Sequence, residues 1–100
     1  MACYKVLIQQ AALDELDDIV EYLSQYSEKA ALKFKEEWFA CIASLEDGIV
    51  EYGLSRFENL GEAGYHSVFF GDYVLLYFKD EDTKTVAHIF HQKQDYANLV

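Results

Sequence analysis

The apolar positions in the first half of the chain predict one short strand and two amphipathic helices. Residues 4–8 form a strand candidate. Across residues 12–23, and again across residues 28–51, apolar side chains recur at steps of three and four, the spacing of one helix face. Ser27 is a candidate N-cap for the second helix, which we expect to end at Gly48 or a few residues later. Two such helices joined by a short break predict an antiparallel helical hairpin.

The second half of the chain predicts three consecutive antiparallel strands, near residues 65–70, 73–79 and 85–91. Aromatic and β-branched residues dominate each run, which is typical of strands. The two-residue turn at residues 71–72 begins with glycine, and this favours a type II′ hairpin. The polar residues 80–84 indicate a longer loop between the last two strands.

The element order β, αα, βββ predicts an α+β fold, with an N-terminal strand and an antiparallel helical hairpin packed on a three- to four-stranded antiparallel sheet. One hundred residues support one domain, residues 1–100. No apolar run approaches the roughly 18 residues of a membrane span, and no charged-then-apolar leader opens the chain. We therefore expect a cytoplasmic protein without a membrane partner. Cys3 and Cys41 stand far apart, without metal-ligand spacing, and we expect two reduced thiols.

Acidic residues outnumber basic ones by a margin that limits the partners. Eighteen Asp and Glu against eight Lys and Arg give a formal net charge of −10. Because nucleic-acid binding relies on cations that displace counterions, this charge argues against broad binding of DNA or RNA. The acidic face of the first helix includes Asp17 and Asp18. A regular helix does not bring carboxylate oxygens together as a Ca²⁺ loop does, so we expect a solvated face, with no metal and no cofactor.

Three stretches of the sequence carry a family resemblance. The first reads YKVLIQQAALDELDDIVEYLSQYS, and the second reads AALKFKEEWFACIASLE. The third reads GYHSVFFGDYVLLYFKDEDTKTVAHIFH and is followed by QKQDY. In this order they resemble the opening strand, the two helices, the three-strand core and the closing motif of the RelE/ParE superfamily. Its members are toxins of type II toxin–antitoxin modules, often described as plasmid stabilisation proteins. The long helical hairpin places the likeness nearer the ParE-like members.

The resemblance implies a bacterial toxin that arrests growth and is neutralised by a cognate antitoxin protein. RelE-like members cleave messenger RNA on the ribosome, whereas ParE-like members are linked to poisoning of DNA gyrase and are not known to cleave RNA. The ribosome and gyrase are therefore the implied targets, and a homodimer stays open. We favour a toxin that acts through protein contacts. The alternatives are a ribosome-dependent mRNA endonuclease and a degenerate, non-toxic homologue that only pairs with an antitoxin or itself.

Positions where the family carries cations hold other residues in this chain. The family commonly has an arginine after the tyrosine of its GY motif, where this chain has His66. A basic residue commonly follows shortly afterwards, where residues 68–70 are Val-Phe-Phe. Val74 replaces the arginine that follows the strand tyrosine in RNA-cleaving members. Arginine binds phosphate oxygens bidentately, and losing one electrostatic donor costs about 3–4 kcal/mol of transition-state stabilisation. The sequence therefore leans against an enzyme.

The remaining catalytic candidates are His91, Glu58, Tyr96 and Lys93. The resemblance matches His91 directly, and Glu58 and Tyr96 more loosely. His91 could act as an acid or a base because imidazole titrates near neutrality, Glu58 could act as a base, and Lys93 could stabilise a phosphate. A histidine at a strand end also serves as a hydrogen-bonding structural residue, so both roles stay open.

Aromatic residues of the sheet predict a surface for a partner. Phe69, Phe70 and Phe78 cannot all face one side of a pleated sheet, so some lie away from the helices and form an apolar patch. Together with Asp17 and Asp18 they are the candidate partner-binding residues. Because residues around these two carboxylates are strongly acidic, we expect an antitoxin tail that is neutral or basic where it meets this face.

Overall fold

Two helices and four strands follow one another in the predicted order. The structure is a computed structural model and describes residues 4–48, 60–61 and 63–94. Its elements are β1 (Lys5–Ile8), α1 (Gln10–Tyr26), α2 (Glu28–Asp47), β2 (His66–Phe70), β3 (Tyr73–Asp80) and β4 (Thr83–His91). Within this part of the chain, no helix is long and apolar enough to cross a membrane.

The four strands form one sheet in the order β1-β4-β3-β2. The β2–β3 and β3–β4 pairs are antiparallel, whereas β1 lies parallel to β4, with Leu7 opposite Thr85. The predicted α+β fold is confirmed, and one strand pair makes the sheet mixed. The chain runs through the helical hairpin, β2 and β3 between the two parallel strands, so no tight turn has to join β1 to β4.

The helical hairpin is joined at Ser27, which caps α2 as predicted. The Ser27 hydroxyl accepts the backbone N–H of Ala30 at 3.2 Å, satisfying one of the free donors at the start of the helix. Gly48 ends α2 with a φ of 66°, a left-handed conformation that glycine adopts without steric cost. Helix α1 begins two residues earlier and ends three later than the predicted range 12–23, because its last turn exposes Tyr22 and Tyr26 rather than extending the apolar stripe.

The main core lies between the helical hairpin and one face of the sheet. Phe70 belongs to this core and is only 9% exposed, since its ring packs 5.8 Å from Phe34 and 6.3 Å from Trp38, centroid to centroid. Phe70, predicted as a partner-binding residue, therefore offers little free surface to a partner. Fully burying such a side chain contributes about 2–3 kcal/mol to folding. Other buried members of this core are Ala12, Cys41, Leu45, Val68, Leu75, Tyr77, Val86 and Ile89.

A second, smaller apolar cluster covers the opposite face of the sheet. It contains Leu60, Val74, Leu76 and Phe90, with Tyr65 packed against it. Strand β3 is consequently buried on both faces at its centre, which explains its continuous apolar run where a half-exposed strand would alternate. The sheet is thus a rigid platform whose strand ends can position side chains.

The sequence predicted the first hairpin turn of the sheet correctly and the second one incorrectly. Gly71 has a φ of 54° and Asp72 has no positive φ, as a type II′ turn requires. A Cβ at Gly71 would collide with the Glu37 carboxylate. The longer loop predicted over residues 80–84 is wrong, because β3 continues through Asp80 and only two residues separate it from β4. The run of polar residues made this tight turn look like a longer loop in the sequence. Within the turn, Glu81 adopts a φ of 55°.

Lys84, placed by the sequence in that loop, is a buried residue of β4 and only 1% exposed. Its Nζ donates to the Leu45 carbonyl at 2.9 Å, in the last turn of α2, where carbonyls lack helical partners. The ammonium also lies 4.1 Å from the centroid of the Tyr4 ring and 5.7 Å from that of Tyr77. The charge complements the helix C-terminus and the faces of two aromatic rings, which offsets the loss of water.

Candidate functional site

His91, the leading catalytic candidate, ends β4 in a network of short-range hydrogen bonds. Its Nδ1 accepts the backbone N–H of Lys93 at 3.1 Å, and its own backbone N–H donates to Oε1 of Gln94 at 2.8 Å. The ring meets Tyr73 edge-on, with 5.3 Å between centroids. Because Nδ1 accepts a hydrogen bond, the neutral ring carries its proton on Nε2. The geometry fits the hydrogen-bonding structural role and leaves one nitrogen for a ligand.

The residues after β4 are tied to the turn between β2 and β3. The Gln92 side chain donates from Nε2 to the carbonyls of Gly71 at 3.1 Å and Tyr73 at 3.2 Å. Its backbone N–H donates to the carbonyl of Asp72 at 2.9 Å. These bonds hold the end of β4 beside the first hairpin turn, so the His91 ring occupies a fixed position.

A cleft of about 380 Å³ opens beside His91, between α1 and the end of the sheet. We call it the α1–β4 cleft. It is lined by Asp18, Ile19 and Tyr22 of α1, Tyr73 of β3, His91 of β4 and Gln94. Burial raises the pKa of the Tyr73 phenol above its ordinary value, and the charge of Asp72 and the nearby Tyr22 raise it further. The phenol therefore stays neutral, and able to donate a hydrogen bond, at physiological pH.

Glu15, a residue of the acidic face of α1 to which the sequence gave no role, bonds α1 to β4. Its Oε1 accepts the backbone N–H of Ile89 at 2.9 Å, and its Oε2 lies 3.1 Å from Nδ1 of His88. A carboxylate only accepts, so Nδ1 of His88 carries the proton in this contact. The pairing of β1 with β4 ends at Val86, and Glu15 supplies the acceptor that the strand lacks beyond that point. In the sequence Glu15 looks like the solvated acidic residues beside it, and only its contacts with β4 distinguish it.

The two predicted acidic residues of α1 face different clefts. Asp18 lines the α1–β4 cleft. Asp17 lines a second cleft of about 370 Å³ between the helices, which we call the α1–α2 groove. Its other lining residues are Leu16, Val20, Glu21, Lys35, Trp38 and Phe39. The groove is mostly apolar, and Phe39 at its edge is 68% exposed.

The three phenylalanines of the predicted aromatic patch lie on two different sides of the sheet. Phe69 is 48% exposed on β2, whereas Phe78 is half-buried and its ring packs 4.2 Å from that of Tyr65. Both point away from the helical hairpin, as the pleat requires once Phe70 faces the core. The predicted split of the three phenylalanines between the two sides of the sheet is therefore seen.

Among the catalytic candidates, the structure brings together only His91 and Lys93, through the Lys93 backbone. The Lys93 side chain is exposed and does not line the α1–β4 cleft. Glu58 and Tyr96 lie outside the described residues. Val74, at the position of the family's arginine, is fully buried in the second cluster. None of the described residues that line the cleft is a lysine or an arginine, so this part of the site offers a phosphate no such cation.

Neither a reactive thiol nor a metal cluster is found in the part of the chain that the structure describes. Cys41 is buried in the main core, and burial raises the pKa of its thiol from 9.0 to about 11. Such a thiol is not a nucleophile at neutral pH. No group of three or more His, Cys, Asp or Glu among these residues is arranged to hold a metal ion.

Comparison with known proteins gives one family and several similar folds. The family described as the ParE toxin of the type II toxin–antitoxin system parDE matches residues 6–96. None of the curated proteins matches the chain. A solved structure of the chromosomal ParDE TA system from P. aeruginosa is similar, with 13% identity, a TM-score of 0.68, and coverage of 89% of this chain and 96% of that one.

Two further solved structures share the fold. The RelBE2 toxin–antitoxin complex from Mycobacterium tuberculosis has 23% identity, a TM-score of 0.56, and coverage of 94% of this chain and 97% of that one. The RelB-RelE antitoxin-toxin complex from Methanococcus jannaschii has 15% identity, a TM-score of 0.52, and coverage of 94% and 99%. The family match extends from β1 past the end of β4, and the predicted resemblance is confirmed. This chain belongs to the ParE toxin family of type II toxin–antitoxin systems.

Proposed function

We propose that this chain arrests growth by binding another protein, without cleaving RNA, and that a cognate antitoxin holds it inactive. The observation that carries the proposal is the α1–β4 cleft, which holds the leading catalytic candidate but no lysine or arginine among the lining residues that the structure describes. A phosphorane intermediate needs positive charge at the reacting phosphate. The cleft instead places the Asp18 carboxylate near His91, and a carboxylate repels phosphate.

Surface composition supports protein contacts as the mode of action. Large apolar side chains stand exposed on the helical hairpin, in addition to Phe69 on the sheet. They are Leu13, Tyr22, Tyr26, Leu32 and Phe39. Exposed apolar groups that line a groove are a usual feature of sites that bind a partner.

The α1–α2 groove is the proposed site of the antitoxin. Leu16, Val20 and Trp38 supply its apolar floor, and Asp17 and Lys35 supply charges at its rim. An amphipathic segment with apolar side chains on one face fits such a groove. The solved relatives include toxin–antitoxin complexes, which supports a protein antitoxin as the partner of this chain.

Expression of the full chain from a tightly controlled promoter tests this function. We expect growth to stop, and to resume when the short open reading frame beside this gene is co-expressed. The His91→Ala variant should remain toxic, because the imidazole is not catalytic in this proposal. Circular dichroism of the purified His91→Ala variant controls for folding. Normal growth with abundant folded chain contradicts the proposal and supports the non-toxic alternative.

A translation extract with mapped mRNA ends separates the proposal from the endonuclease alternative. We expect no new mRNA ends when the purified chain is added. Cleavage that disappears in His91→Ala would establish the enzyme instead. DNA gyrase and the ribosome are the two proposed targets, and a supercoiling assay run beside the extract distinguishes them. A homodimer, which stays a proposal, is tested by sedimentation of the same preparation.

A further inference from the structure

Three aromatic rings and one carboxylate surround the α1–β4 cleft. Tyr22 comes from α1, Tyr73 from β3 and His91 from the end of β4, while Asp18 stands one helical turn before Tyr22. Helix geometry puts residues four apart on the same face, so the Asp18 carboxylate and the Tyr22 ring border the cleft together. The walls thus combine ring faces and edges with one negative charge.

The sheet side of the cleft is held rigid by packing. Tyr73 meets Phe34 edge-on at 4.9 Å between centroids on one side and His91 at 5.3 Å on the other. Tyr22 is 58% exposed and rests 4.9 Å from the ring of Tyr26. The Tyr73 and His91 rings are therefore held in place before any ligand arrives, which lowers the entropy lost on binding.

The electrostatics of the cleft favour a cation. Asp18 borders the cleft and is exposed, and within the described ranges its carboxylate has no hydrogen bond or ion pair with another residue. The Asp72 charge acts on Tyr73 from the turn nearby. No lysine or arginine is among the described lining residues, and the whole chain carries −10. A cation placed among aromatic rings gains from their negative faces as well as from the carboxylate.

We propose that the α1–β4 cleft binds an arginine side chain of a protein partner. The planar guanidinium stacks on aromatic rings and pairs bidentately with a carboxylate, whereas a lysine ammonium is a compact, strongly hydrated charge. Asp18 accepts the guanidinium N–H groups, and Tyr22 and Tyr73 enclose its plane. The identity of the partner as the antitoxin rests on the proposed function, but guanidinium binding by the free chain does not.

A nuclear magnetic resonance titration of the full chain with N-acetylarginine amide tests the site. The control ligand is N-acetylcitrulline amide, which has nearly the same shape without the charge. We expect amide shifts at residues 18–22, 73 and 91–94 with the arginine probe, at millimolar concentrations, and at least threefold weaker binding of the citrulline probe. Adenosine monophosphate serves as a second control, since a phosphate should be repelled.

Variants assign the binding to particular side chains. Asp18→Asn and Tyr22→Leu should each weaken the arginine probe about two- to fivefold, the range for exposed ion pairs and cation–π contacts. Asp17→Asn, which changes the neighbouring carboxylate outside the described cleft lining, should leave its affinity unchanged. Spectra of each free variant show whether its fold is retained.

Three results would overturn the inference: equal binding of citrulline, tighter binding of the nucleotide at the same residues, or no shifts in the cleft. The outcome is separate from that of the growth assay. Growth arrest without arginine binding rejects only the cation site. Arginine binding without growth arrest rejects the toxin function and leaves the site standing.

Discussion

The Glu15 carboxylate accepts the backbone N–H of Ile89 at 2.9 Å, across 74 positions of sequence. This contact joins α1 to the part of β4 that lies beyond the end of its pairing with β1. It fixes the helix against the strand whose end carries His91. At this position the Glu15 carboxylate provides the hydrogen-bond acceptor that a neighbouring strand would otherwise provide.

Glu15→Ala should lower the free energy of unfolding by about 1–3 kcal/mol, because a strand N–H loses a charged acceptor. Glu15→Gln keeps an acceptor and should cost less. Urea unfolding of both variants measures the effect. Asp17→Asn is the matched control on the same helix, and its exposed side chain should change the unfolding free energy by no more than about 0.5 kcal/mol. Equal effects of Glu15→Ala and Asp17→Asn would contradict a special role for Glu15.

Local patterns predicted the helices and strands, whereas contacts between distant residues escaped prediction. Ser27 and Gly48 act at their own helix ends, so their residue types sufficed. Glu15 and Lys84 resemble solvated charges in the sequence, since their partners are 74 and 39 positions away. The sequence identified His91 as a candidate. Only the structure shows which residues line the cleft beside it, and none of those that it describes is a lysine or an arginine.

Lys84→Met should destabilise the fold by about 1–3 kcal/mol. Methionine fills similar space, but it cannot donate to the Leu45 carbonyl or offer a charge to the Tyr4 ring. Thermal and urea unfolding measure the loss, and hydrogen exchange should show reduced protection in the last turn of α2. Lys29→Met, at an exposed position of α2, is the control. A stable variant with full protection would show that the ammonium contributes no net stability.

Glu81→Gly should stabilise the chain by about 0.5–1 kcal/mol, since Glu81 adopts a φ of 55° and glycine tolerates this conformation. The gain is partly offset by the larger conformational entropy of glycine in the unfolded chain. Gly71→Ala is the opposite test, because its Cβ combines a positive φ with a collision at Glu37. In urea unfolding, the free energy of unfolding should rise for Glu81→Gly and fall for Gly71→Ala. A shift in the same direction for both variants would refute the assignment of strain.

Cys41 should make the fold less stable at alkaline pH. Burial raises the pKa of its thiol from 9.0 to about 11. The folded state therefore binds the proton more tightly than the unfolded state, so the contribution is complete below about pH 9 and disappears as pH rises through about 11. The stability gap between the parent and Cys41→Ala should shrink by about 2–3 kcal/mol across this interval. Urea unfolding at about pH 8, 10 and 11 measures it, and a constant gap would show that the thiol pKa is unshifted.

The surface charge of α1 should govern how fast the antitoxin is captured. Asp17 borders the α1–α2 groove and Asp18 borders the α1–β4 cleft, so the two carboxylates face separate parts of a bound partner. A tail that is basic near this face is attracted at long range, and salt screens that attraction beyond about 8–10 Å at physiological ionic strength. Association measured by stopped flow should therefore slow as salt rises. Asp17→Lys and Asp18→Lys should each slow capture at low salt, and the difference from the parent should narrow at high salt. If instead the lysine variants capture the native antitoxin faster, the partner tail is acidic at this face and apolar contact alone overcomes the repulsion in the parent.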